Sequence, residues 1–181
     1  MINKWNFQTP SEEELHKRDQ LVAELGFSPV ICLLLVQRGI TSIEEAKKFF
    51  KPSLNDLHDP FLMPDMEKAV KRLNKALGNK EKILIYGDYD VDGTTAVSLV
   101  FKYLRPYSST LDFYIPDRYD EGYGISYKGI DYAAENGVSL VISLDCGIKA
   151  IEKIEYAKEK GIDFIICDHH MPDTTLPDAG A

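Results

Sequence analysis

The sequence predicts an α/β protein in which a parallel sheet carries helices on both faces and follows a helical N-terminal region. After Lys80, short apolar runs alternate with helical stretches, and this alternation is typical of a parallel sheet. The first fifty residues instead contain repeated helix-start signals. The chain has 181 residues, 44% of them hydrophobic, which is enough to bury the core of one domain with an attached subdomain.

The N-terminal region, residues 1–78, is predicted to be helical. A Ser three residues before a Glu can satisfy the first free amides of a helix, and this capping pattern occurs at Ser11 and at Ser42. An apolar segment between them ends at Gly39, a typical helix stop. Several prolines and few periodic apolar positions predict an extended connection over residues 51–64.

Residues 79–181 are predicted to contain the sheet. One of its helices, residues 94–104, is apolar on nearly every side and is expected to be deeply buried. The predicted strands are residues 83–86, 111–115, 140–144 and 162–166, and the predicted helices are residues 65–77, 94–104, 127–136 and 149–160.

Acidic residues directly follow three of the predicted strands, at Asp88, Asp145 and Asp168. Because the carboxyl ends of parallel strands meet at one edge of a sheet, we expect these carboxylates to converge. Such a cluster repels itself unless cations occupy it, and its hard oxygen ligands suit Mg²⁺ or Mn²⁺. His169 and His170 follow Asp168 and shift the preference towards Mn²⁺, since imidazole is a softer ligand.

The segment after the first strand adds Asp90 and Asp92. Together with Asp88 they are spaced by two residues, so the three side chains would point the same way if the segment is extended. Gly93 would allow a tight turn, and Thr94 would begin a helix whose amino end favours a phosphate. The sequence therefore brings metal ligands and a phosphate site to one place.

Other interpretations of these motifs remain open. The acidic segment resembles an EF-hand calcium loop, but Leu99 stands where that loop needs a bidentate Glu, and a strand precedes it. The acidic residues could also simply solvate a loop, and the His pair could cap a helix or face solvent. A zinc site is a further alternative, with the ligands Cys146, Cys167, His169 and His170.

The three cysteines show no CxxC spacing, which indicates reduced, buried thiols in a reducing compartment. Adjacent side chains of an extended strand face opposite ways, so Cys146 and Cys167 are expected to point into packing while their Asp neighbours point into the site. The absence of a long apolar run or a signal-peptide core predicts a cytoplasmic protein that does not bind membranes. The net charge of −8 argues against a broad basic surface.

Arg118 is a further candidate, after the second predicted strand. Its guanidinium matches phosphate geometry, and the glycines of Glu121-Gly122-Tyr123-Gly124 would let backbone approach a ligand closely. A surface ion pair of Arg118 with Asp120 or Glu121 is an equally simple interpretation. The glycines lack the spacing of a dinucleotide-binding motif.

At these residues the sequence resembles the DHH phosphoesterase superfamily, and within it the exonucleases that act on single strands. Other members of the superfamily usually begin the first motif with a His at the position of Tyr86. In this chain Asp88 would take the place of that His. The resemblance covers most of the chain and rests on three motifs in the family's order, Gly87–Ala96, Asp145–Gly147 and Asp168–His170, with further similarity in residues 59–63 and 115–124.

The resemblance implies a DHH-type domain that removes nucleotides from single-stranded DNA in the 5' to 3' direction, in DNA recombination and repair. It implies hydrolysis with two Mn²⁺ or Mg²⁺ ions, and a single-strand-binding protein and a helicase as partners. The implied metal ligands are Asp90, Asp92, Asp145 and His169, with Asp88 as a further ligand or as support for the bound water. His170 would contact the scissile phosphate, Asp168 would orient a histidine, and Arg118 would bind a DNA phosphate.

The family also has a fourth acidic motif and a second domain farther along. The 181 residues are therefore expected to be the N-terminal part of the enzyme, with an incomplete catalytic domain and little activity alone. A phosphodiesterase or pyrophosphatase acting on small phosphorylated molecules is the alternative. A member without catalysis is disfavoured, because the four expected ligands Asp90, Asp92, Asp145 and His169 are present.

Overall fold

The computed structural model describes residues 9–181, which divide into two compact units between Asp59 and Pro60. The part of the helical prediction that falls on residues 1–8 lies outside the described residues. Among the residues described, no helix is both long and apolar enough to cross a bilayer.

The first unit contains three helices: α1 (Glu12–Leu25), α2 (Pro29–Val36) and α3 (Ile43–Phe50). The capping boxes expected at Ser11 and Ser42 are both present, because each Ser accepts from the amide three residues ahead and the Glu there accepts from the Ser amide. The helices enclose a small core of Leu21, Cys32, Leu35, Val36 and Ala46.

Residues 51–64 are not uniformly extended. They contain two short 3-10 helices, Leu54–Asp56 and Pro60–Leu62. Ser53 caps the first of these, since its hydroxyl accepts from the Asn55 amide at 3.1 Å. Local capping therefore produces turns where the prolines predicted an extended segment.

The second unit is built around a parallel sheet in the order β2-β1-β3-β4. This confirms the α/β fold class and the four predicted strands, with ends that differ by one or two residues. The strands are β1 (Lys82–Gly87), β2 (Leu111–Tyr114), β3 (Val138–Leu144) and β4 (Asp163–Cys167). The helices are α4 (Met66–Gly78), α5 (Val91–Leu104), α6 (Tyr127–Glu135) and α7 (Ile151–Glu159).

Alternate residues of β1 contribute to cores on the two faces of the sheet. Ile83 and Ile85 belong to the cluster that includes residues of α4 and α5, whereas Leu84 and Tyr86 belong to the cluster that includes residues of α6 and α7. Helices thus cover both faces. The expectation that α5 is deeply buried is wrong, because a helix on one face of a sheet buries a single stripe of its side chains. Leu99, on α5, remains 69% exposed.

Candidate metal centre

The strand register aligns the three acidic residues at the carboxyl edge of the sheet. Gly87 is paired with Leu144, and Leu144 is paired with Cys167. The next residue along each of these strands is Asp88, Asp145 or Asp168. The convergence that the sequence predicted therefore follows from pairing three adjacent strands without an offset at their ends.

Asp88 lies deepest among the carboxylates. Its side chain is 1% exposed, and its Oδ1 atom has no hydrogen-bond partner among the described residues. A buried carboxylate oxygen without a donor is costly. A divalent cation would remove that cost, so Asp88 fits a metal ligand.

Helix α5 begins earlier than the sequence predicted. Asp90 is its N-cap, and its Oδ1 atom accepts from the Gly93 amide at 2.9 Å. The acidic segment is therefore not extended, so the condition under which its three aspartates would point the same way is not met. Asp92 lies in the first helical turn, where it is exposed, and the structure does not place it in the compact ligand group of Asp145. Its role as a ligand remains a prediction.

A compact group of ligand atoms forms between Asp145, His169 and His170, whose donor atoms lie within 4.8 Å of one another. His169 Nε2 is 3.1 Å from Asp145 Oδ1. Asp145 has a φ of +60°, a left-handed conformation that is uncommon outside glycine. Its amide nevertheless donates to the Cys167 carbonyl at 2.8 Å, which holds the end of β3 to β4. Within this group Asp145 and His169 offer an oxygen and an imidazole nitrogen, donors that suit Mn²⁺.

Asp168 supports His170 through several hydrogen bonds. Its side chain is 2% exposed, and Oδ1 lies 2.7 Å from His170 Nδ1 and accepts from the His170 amide at 3.0 Å. Its Oδ2 atom accepts from the Ile148 amide at 3.0 Å. Burial raises the pKa of Asp168, but these hydrogen bonds outweigh it and lower the pKa overall. The same carboxylate raises the pKa of His170. Asp168 thus contacts His170 in the structure, and its role in orienting that histidine remains a prediction.

The electrostatics of nearby groups show that the carboxylates act on one small region. Burial and the charges of Asp88, Asp168, Asp145 and Asp90 raise the pKa of the Cys146 thiol. Burial, with three of these charges, also raises the pKa of Tyr123 to about 12. Negative potential of this kind favours a bound cation.

The cysteines do not join this group of ligands. Cys146 is buried in the core beneath the site, as expected, whereas Cys167 is exposed, so the expectation of packing is wrong for Cys167. Among residues 9–181, the compact ligand group consists of Asp145, His169 and His170 and includes no cysteine. The zinc alternative from Cys146 and Cys167 is therefore not supported, and oxygen with imidazole remains the donor chemistry.

Arg118 lies at the rim, with its guanidinium carbon 5.3 Å from the centroid of the Tyr89 ring. Among the described residues no ion pair with Arg118 is found, so the surface ion-pair interpretation is not supported. Tyr123 lies nearby, and its hydroxyl is 3.1 Å from His170 Nε2. Sequence reasoning missed Tyr89 and Tyr123. Their proximity in sequence to Asp90 and Arg118 was the available signal.

Comparison with known families gives a match to the DHH family, N-terminal domain, over residues 82–181. The chain belongs to the DHH family. The matched residues contain the whole sheet and every candidate ligand. The resemblance seen in the sequence is thereby confirmed at the family level.

The similar members of the DHH family include single-stranded-DNA-specific exonucleases named RecJ. The protein from Bacillus subtilis (strain 168) is 41% identical over 178 residues, which is 98% of this chain and 22% of that protein. The one from Escherichia coli (strain K12) is 34% identical over 170 residues, 93% of this chain and 28% of that protein. The chain thus spans less than a third of the length of these relatives.

Two solved structures are similar in fold. A crystal structure of exonuclease RecJ bound to manganese matches with a TM-score of 0.57 and 32% identity, over 62% of this chain and 29% of that chain. RecJ from Thermus thermophilus in complex with Mn²⁺ matches with a TM-score of 0.66 and 25% identity, over 91% of this chain and 22% of that chain.

Proposed function

We propose that this chain is part of a metal-dependent exonuclease that removes nucleotides from single-stranded DNA in the 5' to 3' direction. The alignment of Asp88, Asp145 and Asp168 at one sheet edge, beside His169 and His170, is the observation that carries the proposal. The similarity to single-stranded-DNA-specific exonucleases supplies the substrate class. The relatives bound to manganese support Mn²⁺ or Mg²⁺ as the cofactor.

The residues have three proposed roles: holding the metal ions, contacting the scissile phosphate, and supporting the residue that makes this contact. Bound ions would polarise the phosphate and lower the pKa of a water molecule, which is the chemistry that metals supply in phosphodiester hydrolysis. His170 contacts the scissile phosphate, and Asp168 holds its ring in place and favours its protonated form. The proposed metal-holding residues are Asp88, Asp90, Asp92, Asp145 and His169.

Arg118 is proposed to bind a DNA phosphate. Its contact with the Tyr89 ring leaves the guanidinium without a carboxylate partner among residues 9–181, and a planar guanidinium can bind phosphate through two hydrogen bonds. A helicase and a single-strand-binding protein are the proposed partners, since a helicase generates single strands and a single-strand-binding protein protects them. A chromosomal DNA substrate would place this activity in the bacterial cytoplasm.

The proposal is tested with the full-length protein, Mn²⁺ and four substrates: 5'-labelled single-stranded DNA, the same DNA as a duplex, a dinucleotide and pyrophosphate. We expect rapid release of the labelled mononucleotide from the single strand and slow reaction with the other three. Hydrolysis of pyrophosphate or the dinucleotide without digestion of the long strand would instead identify a phosphatase or phosphodiesterase for small molecules.

The variant Asp145→Asn separates site chemistry from folding. It keeps the shape of the side chain but removes a charged ligand, so we expect a loss of activity of about 100-fold or more with an unchanged unfolding midpoint. Asp173→Asn is the matched control, because Asp173 is exposed and lies near Lys149, outside the ligand group. Equal activity of the two variants would contradict a metal-binding role for Asp145.

A further inference from the structure

The loop between β2 and α6, residues 115–126, carries both Arg118 and Tyr123 and contains no helix or strand. Within the loop, the Glu121 amide donates to the Asp117 carbonyl at 2.9 Å, and the Asp117 carboxylate accepts from the amides of Tyr119 and Asp120; the other bonds that hold the loop come from side chains. The contacts that fix this loop therefore decide where its two site-facing residues lie.

Glu121 is the centre of those contacts. Its Oε1 atom accepts from the Asp117 amide at 2.8 Å, which closes the first half of the loop. Its Oε2 atom accepts from the Tyr114 hydroxyl at 2.9 Å and from the hydroxyl of Ser126. One half-buried carboxylate thus joins the end of β2, the middle of the loop and the start of α6.

The central strand anchors the same network through Tyr86, which is 1% exposed. Its hydroxyl donates to the Gly124 carbonyl at 3.0 Å and accepts from the Ser126 amide at 3.0 Å. Ser126 also caps α6, because its hydroxyl accepts from the Gly129 amide at 2.9 Å. The second half of the loop is therefore tied to an interior strand of the sheet.

The other side of the loop faces the candidate metal centre. The Tyr123 hydroxyl lies 3.1 Å from His170 Nε2, and the Arg118 guanidinium lies over the Tyr89 ring. Glu121 falls between these two residues in sequence, and its carboxylate contacts neither of them in the bonds described above. Its hydrogen bonds therefore act on the site through the shape of the loop.

We propose that Glu121 is a positioning residue for the hydrolysis proposed above: by fixing residues 115–126 it places Arg118 and Tyr123 at the rim of the candidate metal centre. The inference rests on that proposed function for its catalytic consequence. Its structural part, that the Glu121 carboxylate orders the loop, stands on the hydrogen bonds alone.

The catalytic consequence is tested in the full-length protein with Glu121→Gln, made alone and together with Arg118→Ala. We expect Glu121→Gln to raise KM for single-stranded DNA about 10-fold and to change kcat by less than about twofold. In the Arg118→Ala background the same substitution should change KM by less than about twofold, because Arg118 is the one of the two positioned residues that is proposed to bind DNA. Equal effects in both backgrounds would overturn the proposal.

Asp120→Asn is the matched control, because Asp120 lies in the same loop but, among residues 9–181, its carboxylate pairs with Lys128 and not with the Glu121 network. It should leave KM and kcat at the values of the unmodified protein. Tyr114→Phe is the second variant, since it removes one donor to Glu121 and keeps the carboxylate; it should raise KM in the same direction even if Glu121→Gln does not fold.

Amide hydrogen exchange of residues 115–126 tests the structural part independently of activity. Glu121→Gln or Tyr114→Phe should speed exchange in this loop, whereas Asp120→Asn should not. Unchanged exchange in both loop variants would overturn the positioning role. If the unmodified protein degrades no DNA, the proposed function fails, and the exchange measurement still decides whether Glu121 orders the loop.

Discussion

Gly93 permits the first turn of α5 to lie directly against the backbone of Asp88. A Cβ atom at this position would be 2.5 Å from the Asp88 carbonyl oxygen and 2.6 Å from its nitrogen. Gly93 does not have a positive φ, so the tight turn expected from the sequence is not its role. Its role is close approach, which brings the start of α5 to the strand end that holds Asp88.

We predict that Gly93→Ala lowers the free energy of unfolding by about 2–4 kcal/mol, because the methyl group would meet backbone rather than a movable side chain. Denaturant unfolding measures the change. Gly78→Ala is the control, since a Cβ at this helical residue meets nothing within 4 Å. That substitution should stabilise by about 0.5–1 kcal/mol, and a similar loss at both positions would contradict the close-approach explanation.

At the scale of the element, the amino end of α5 combines a structural cap with a proposed metal ligand. Asp90 accepts from the Gly93 amide and so satisfies one of the free donors of the first turn. The same carboxylate contributes to the negative potential at Cys146. Stability and ligand binding therefore depend on different properties of Asp90, hydrogen-bond acceptance and charge.

Two substitutions separate these properties. Asn is as good an N-cap as Asp, so Asp90→Asn should have a free energy of unfolding about 1 kcal/mol higher than Asp90→Ala, measured with a chelator present. Both variants relieve the same charge repulsion, and the difference between them isolates the cap. Both should lose nuclease activity if Asp90 is a metal ligand. Equal stability of the two variants would show that the cap contributes nothing.

At the scale of the whole second unit, an ion-pair network lies at the edge of the sheet opposite the candidate metal centre. Arg72 of α4 donates to Asp163 at 2.6 Å, to Glu81 at 2.8 Å and to the Ser139 carbonyl at 3.4 Å. The Ser139 hydroxyl also donates to Glu81 at 2.9 Å. One guanidinium thus joins a helix to the amino ends of three strands, β1, β3 and β4.

This network predicts how stability depends on pH. Burial raises the pKa of Glu81, but hydrogen bonds from Arg72, Ser139 and Asn79 outweigh it and lower the pKa below the ordinary value. A carboxylate with a lowered pKa stabilises the folded state above its unfolded pKa of about 4.3, and the contribution is lost as pH falls through the folded pKa.

We therefore expect Glu81→Gln to lower the free energy of unfolding by about 1–2 kcal/mol at pH 7, with a smaller difference from the unmodified protein below pH of about 4. Urea unfolding across this range measures the difference. Glu67→Gln is the control, because Glu67 forms an exposed pair with Lys71, and it should change the unfolding curve little at either pH. A pH-independent effect of Glu81→Gln would contradict the ionic explanation.

Local sequence patterns were sufficient to predict the class of the fold and the kind of site. Alternating apolar runs and helical stretches identified four strands, and acidic residues directly after three of them identified one edge of the sheet. The capping boxes at Ser11 and Ser42 were also predicted correctly from the sequence. These signals could be read because each depends on the order of a few neighbouring residues.

How those residues meet depends on long-range packing. The matched register at the carboxyl ends of β1, β3 and β4 aligned the aspartates, and packing of α5 against one face of the sheet left Leu99 exposed. The contacts of Tyr86 with Ser126 and of Tyr123 with His170 join residues 40 and 47 positions apart. Such contacts leave no local pattern, because they depend on how separate elements pack and not on the propensity of either segment.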